Sequence, residues 1–157
     1  MVVYRGLGDP RLLPRPSAVA VGNFDGLHLG HRRILARLCA LAEERGLRSL
    51  VLTFEPHPER ALGKRSTRMI DTPEQRLERL RGTCVDAAAV IPFNASFSGL
   101  GCREFVDGIL RGRLGAEQLT KGRVAVLAVP VGPKYLKRDR RVGEQRFEPS
   151  NGIVGTC

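Results

Sequence analysis

The stretch Ala18-Val19-Ala20-Val21-Gly22-Asn23-Phe24-Asp25-Gly26-Leu27-His28-Leu29-Gly30-His31 decides the fold of this chain, because a fully apolar run passes straight into a glycine-punctuated turn. Residues 18–21 suit a buried parallel strand, and Gly22, Gly26 and Gly30 let the backbone turn and approach a ligand closely. A helix is expected to follow over Arg32 to Arg45, with Ile34, Leu35, Leu38, Leu41 and Ala42 on one face and Gly46 as its stop. Strand, turn and helix in that order make an anion site, since the first N–H groups of a helix lack partners and its dipole end is positive. His28 and His31, three apart at the turn, can point donors at the same phosphate chain.

Working outward, helical and strand patterns alternate from residue 18 to about residue 119, as in an α/β fold with a Rossmann-like parallel sheet flanked by helices. Leu50 to Phe54 reads as a second strand and Ala87 to Pro92 as a third. Between them Thr72-Pro73-Glu74-Gln75 opens a helix that runs to about Arg81, with Thr72 as N-cap, Pro73 at the first position and Gln75 completing a capping box. A further helix is expected from about Arg103 to Leu114, with Phe105, Val106, Ile109 and Leu110 as its apolar stripe. In an open parallel sheet, ligands sit beyond the carboxyl ends of the strands, which joins the loops after residues 21, 54 and 92 into one candidate site. Val124 to Val131 is a plausible further strand, and Phe147 to Cys157 shows no period.

The 157 residues fit one domain that can bury its own core. Cys39, Cys84, Cys102 and Cys157 form no C-x-x-C pair and no regular spacing, which points away from a zinc ribbon or a secreted disulfide framework and toward a reducing cytoplasm. Residues 1–16 lack the apolar core of a signal peptide, and no apolar run is long enough to span a bilayer, so no membrane association is expected. The net charge of +10 is split evenly between residues 1–119 and the much shorter 120–157. Tyr4 and Tyr135 are the only tyrosines and tryptophan is absent, so stacking platforms are scarce and nucleic acid is set aside as the main partner. A basic surface remains suited to polyanionic small molecules.

His28-Leu29-Gly30-His31 could merely cap a helix, and the pair could hold one metal ion, yet no third ligand lies close in sequence, so no metal site is assigned. The setting favours nucleotide binding. Gly22-Asn23-Phe24-Asp25-Gly26-Leu27-His28-Leu29-Gly30-His31 resembles the signature of the nucleotidyltransferase superfamily, and Leu52-Thr53-Phe54-Glu55-Pro56-His57-Pro58 resembles that of the FMN adenylyltransferase half of bacterial bifunctional riboflavin kinase/FAD synthetases. Ile91-Pro92-Phe93-Asn94, Phe97-Ser98 and Phe105-Val106 extend the likeness over roughly residues 1–119.

The resemblance implies a nucleotidyltransferase fold and transfer of the adenylyl group of ATP to FMN, giving FAD and pyrophosphate with Mg²⁺ on the phosphates. His28 and His31 would contact the phosphates and stabilise charge at the α-phosphorus, neither acting as general base. Gly22, Asn23, Phe24, Asp25, Gly26 and Gly30 would shape the nucleotide pocket, and Phe54, Pro56 and Pro58, with Phe93 and Asn94, would lie toward the flavin. A proline-rich loop at a strand end can also simply close the strand, and His57 is open between ligand contact and surface histidine. ATP and FMN are the expected small-molecule partners, with riboflavin kinase activity supplied elsewhere.

The family continues with a G-x-D-F-x-F-G block and a serine/threonine-rich segment, where this chain has Lys121-Gly122-Arg123-Val124 and Ser150-Asn151-Gly152. Residues 1–119 are therefore read as the FMN adenylyltransferase-like domain and 120–157 as a divergent basic tail without fixed order. A truncation or frame shift near residue 120 is preferred to a natural ending, which makes the sheet incomplete at its C-terminal end. The alternatives are a remnant that binds nucleotide or flavin without turnover and a basic nucleic-acid-binding module.

Overall fold

The computed structural model describes residues 1–63 and 68–116, together with the backbone of residues 118–119, 123–124 and 126–128. Strands β1 (Val2–Arg5), β2 (Ser17–Val21), β3 (Arg48–Glu55), β4 (Ala87–Pro92) and β7 (Val126–Ala128) form one sheet in the order β1-β4-β3-β2-β7, and every pairing is parallel. Two further short strands, β5 (Gln118–Leu119) and β6 (Arg123–Val124), pair antiparallel by themselves. The strand expected across Val124–Val131 thus corresponds to the end of β6 and to β7. Of the tail expected over 120–157, Arg123–Val124 and Val126–Ala128 are in strands, contrary to a tail without fixed order, and the remainder lies outside the described residues.

The central strands read as continuous apolar runs because both faces of the sheet are covered. Val19, Val21, Leu50, Leu52 and Ile91 face one side, where they meet Val106, Ile109 and Leu110. Ala18, Ala20, Val51, Ala88 and Val90 face the other, where they meet α1 (Leu29–Arg45) and α3 (Pro73–Arg81). Leu35 and Leu38 of α1 are 1% and 0% exposed. Each such leucine contributes about 2 kcal/mol relative to an exposed one, so the apolar stripe, and not helix propensity, fixes α1 on the sheet.

Local signals set the helix ends. Thr72 accepts from the Gln75 N–H and the Gln75 side chain accepts from the Thr72 N–H, the capping box expected at the start of α3. Gly46, at φ 62°, ends α1 in the left-handed conformation. Helix α1 starts at Leu29 instead of Arg32, because His28 takes the N-cap and His31 falls inside the first turn.

The segment expected as an α-helix over about 103–114 is π-helical at Glu104–Arg111. It keeps its apolar stripe, with Val106, Ile109 and Leu110 buried. The wide winding is closed by Gly112 N–H donating to Asp107 C=O, and a Cβ at Gly112 would meet the Gly108 carbonyl at 2.8 Å. β1 was not expected among the turn residues of the N-terminus; Val2 and Val3 nonetheless add it to the sheet edge beside β4.

The cysteine spacing points away from disulfides, yet Cys39 of α1 and Cys84, just beyond α3, are bonded across a sequence separation of 45. Adjacency of α1 and the end of α3 on one sheet face creates that pair, and spacing along the chain does not reveal it.

Candidate active site

The loops after β2, β3 and β4 emerge at the carboxyl edge of the sheet, as the strand order requires. The first begins with Gly22, whose N–H continues the β2–β3 ladder to Leu52 C=O at 3.0 Å. Phe24 follows in the left-handed region at φ 52°, which costs a bulky residue on the order of 1 kcal/mol. Complete burial of its ring offsets that cost, and the ring lies 5.2 Å from that of His31. Phe24 therefore supports His31 from within the core and offers no surface to a ligand.

His28 and His31 stack, with ring centroids 3.7 Å apart and planes 21° from parallel. His28 is exposed and its Nδ1 accepts the His31 backbone N–H at 3.4 Å, so its ring proton sits on Nε2 and is free to be donated. His31 is buried, and its Nδ1 has no partner. Burial first, and then the neighbouring His28, lower the affinity of His31 for a proton, while Asp25 opposes them. Gly30 makes the arrangement possible: a Cβ there would lie 3.1 Å from Cε1 of His28. The N–H groups of Leu29 and Gly30 open the helix without an intrahelical acceptor, so an anion at this end meets backbone donors and an imidazole together.

Asp25 and Gly26 are committed to holding this loop. The Asp25 carboxylate accepts the N–H groups of Ile70, at 3.0 Å, and Asp71, at 2.9 Å. In return the Asp71 carboxylate accepts the Gly26 N–H at 3.1 Å and pairs with Arg79 at 2.9 Å. Gly26 has φ 72°, and a Cβ on it would lie 2.8 Å from Ile70 Cδ1.

In the second loop, Phe54 is 1% exposed and Phe93, from the third loop, 7%. Both belong to the core, with rings 5.4 Å apart and edge to face. The half-buried Phe97 packs on Phe54 at 5.4 Å and stands on the outer side of this aromatic group, while Pro56 is exposed and Pro58 buried. Asn94 is used as the N-cap of α4 (Ala95–Ser98), accepting the Phe97 N–H at 2.8 Å.

His57 is not a surface histidine. It is 8% exposed and caps α2 (Pro58–Ala61), with Nδ1 accepting the Glu59 N–H at 3.3 Å and Nε2 lying 2.8 Å from the Asn23 carboxamide. Burial lowers its proton affinity. Nδ2 is the arm of the Asn23 carboxamide that meets the ring, and Oδ1 is buried without a partner. Asn23 and His57 thus tie the first loop to the second.

Sequence reading missed Arg76. Its side chain is 1% exposed and reaches both loops: Nη1 donates to Asn23 C=O at 3.4 Å, and Nη2 to Phe54 C=O at 3.1 Å and Glu55 Oε2 at 2.8 Å. The available signal was its position beside Leu77 and one turn before Leu80, which places a cation on the buried face of α3.

A parallel sheet covered on both faces, with a glycine turn and paired histidines at the start of the helix after β2, defines an α/β domain of the nucleotidyltransferase type. The sequence profile of the FAD synthetase family matches residues 11–125, and the chain belongs to that family. Among its relatives, the bifunctional riboflavin kinase/FMN adenylyltransferase of Pseudomonas fluorescens is 38% identical over 131 residues, covering 78% of this chain and 39% of the relative. That of Buchnera aphidicola (Schizaphis graminum) is 32% identical over 111 residues, covering 70% and 36%. The chain thus spans less than half the length of these relatives. A solved structure from Streptococcus pneumoniae, described as a macrolide-efflux protein, superposes with TM-score 0.57 at 26% identity, over 68% of this chain and 36% of that one. Among the described residues, no helix is long and apolar enough to cross a membrane.

Proposed function

We propose that this chain is an FMN adenylyltransferase, joining ATP and FMN into FAD and pyrophosphate. The observation that carries the reading is the stacked histidine pair at the N-terminus of α1, in a chain of the FAD synthetase family. The FMN phosphate attacks the α-phosphorus of ATP, one P–O bond forms, and pyrophosphate leaves with its electron pair. No side chain becomes covalently attached. The work left to the protein is alignment and charge stabilisation, which a preorganised Nε2–H of His28 and the N–H groups of Leu29 and Gly30 provide. The unpartnered Nδ1 of His31 behind that ring is either a second donor or a support for the first.

Mg²⁺, brought by ATP, would supply charge shielding for the triphosphate. The carboxylates flanking the histidine loop are engaged, Asp25 by backbone N–H groups, Asp71 by Gly26 and Arg79, and Glu55 by Arg76. Any Mg²⁺ brought by ATP would therefore be held mainly by phosphate oxygens and water. The flavin ring has its natural support at Pro56 and Phe97, the outer members of the second and third loops.

Chromatographic detection of FAD after incubating the chain with FMN, ATP and Mg²⁺ tests the proposal. FAD formation that falls by about a hundredfold or more in His28→Ala is the expected result, the usual size of losing one transition-state donor. Retained nucleotide or flavin binding without any FAD from folded protein would identify a binding remnant instead.

A further inference from the structure

We propose that Arg76 is a positioning residue that sets the separation between the histidine loop and the Pro56–Pro58 loop, and hence between the two reacting substrates. It touches neither substrate. Its planar fork divides its two terminal nitrogens, Nη1 going to the Asn23 carbonyl of the first loop and Nη2 to Phe54 C=O and the Glu55 carboxylate at the end of β3, where the second loop begins. The same Asn23 carbonyl also accepts from the Thr53 hydroxyl at 3.1 Å, and the Asn23 side chain meets His57, so one residue of the first loop is held from three directions.

A purely structural role explains this arrangement poorly. A methionine or leucine at position 76 would continue the apolar face of Leu77 and Leu80 without stripping a guanidinium of water. The guanidinium is retained although its Nε is buried with no partner. Its three acceptors come from the two loops that carry the candidate site. A lysine keeps the charge but, as a point donor, cannot serve both loops in the same geometry.

The kinetic consequence rests on the adenylyl-transfer reading; the geometry does not. In R76K and R76M, kcat per folded molecule is expected to fall by about tenfold to a hundredfold, the cost of a small misplacement between reacting groups, with KM for ATP and for FMN within about threefold of the parent. Urea titration fixes the folded fraction, and R76K, which keeps the buried charge, decides the matter if R76M does not fold. An unchanged kcat per folded molecule, or a change confined to KM, overturns the proposal. If the parent chain makes no FAD, the adenylyl-transfer reading fails and the Arg76 inference is judged separately by side-chain amide NMR of the full chain. The Asn23 carboxamide protons, whose nitrogen lies 2.8 Å from His57 Nε2 in the parent, are expected to exchange at least tenfold faster in R76K. An unaltered exchange rate overturns the inference.

Discussion

Replacing Gly26 by alanine separates two costs that usually arrive together. At Gly46, φ is 62° and a Cβ would meet nothing within 4 Å, so Gly46→Ala measures the left-handed backbone cost alone. That cost is about 1 kcal/mol once the lower entropy of the unfolded alanine chain is counted. Gly26 has a similar φ of 72°, but its Cβ would lie 2.8 Å from Cδ1, 2.9 Å from Cγ2 and 3.2 Å from Cβ of Ile70. Because both branches and the Cβ of Ile70 are close, rotation of the side chain cannot clear the overlap, and the Ile70 backbone is clamped by Asp25. An overpacking cost of roughly 1 to 2 kcal/mol adds to the backbone cost, so Gly26→Ala should destabilise by about 2 to 3 kcal/mol. Ile70 is 71% exposed, so Ile70→Ala alone should change little. The double variant G26A/I70A should recover most of the overpacking and return to the Gly46→Ala level. Urea unfolding of the four proteins in a double-mutant cycle gives the coupling energy directly. A coupling energy below about 0.5 kcal/mol, the ordinary limit of additivity, would refute this account of the turn.

The same reasoning makes Gly115→Ala more severe, because its Cβ would collide with the Arg15 carbonyl, a backbone group that no rotamer change can move; a loss of at least about 3 kcal/mol is expected, and a mild effect in urea unfolding would be contrary evidence. Acid should weaken the fold through His31 and His57, whose proton affinities in the folded chain lie below the ordinary value of 6.5. The unfolded chain then binds more protons between 6.5 and the lower folded values, so their contribution is full above 6.5 and is lost as pH falls through that window. The urea midpoint should drop between about pH 7.5 and pH 5.5, and His57→Asn should reduce the drop; an identical drop in the variant would count against the assignment. For the Cys39–Cys84 bond, closure of a loop of 45 residues corresponds to about 4 kcal/mol as a chain-entropy limit. Reductant should therefore lower the urea midpoint of the parent and leave C39S/C84S unmoved, and a parent indifferent to reductant would show that the bond does not contribute.

What was legible in the sequence is what short-range chemistry dictates. The capping box at Thr72 and Gln75, the glycine stop at Gly46 and the apolar runs of β2, β3 and β4 depend on neighbours within a few residues, and each appears in the structure where the pattern places it. The loops after β2, β3 and β4 follow from sheet topology and could be anticipated as one edge. The contacts between those loops could not. Arg76 reaches Asn23 across 53 positions, Asp25 reaches Ile70 across 45, and Cys39 finds Cys84 at the same distance along the chain. For Arg76 the local pattern offers only its place on the apolar face of Leu77 and Leu80, and nothing in it distinguishes Asp25 from a surface charge or Cys39 and Cys84 from spare thiols. Burial was likewise invisible for Phe24 and Phe54, which a motif groups with ligand contacts but which the core holds from beneath.

The imidazole stack at the head of α1 has a consequence in proton accounting. Burial lowers the proton affinity of His31 behind His28, and a proton on His28 raises the cost of one on His31. On the adenylyl-transfer reading, an arriving polyanion would oppose that cost. Ligand capture would then also withdraw protons from the buffer, and the heat of binding would depend on which buffer gives them up.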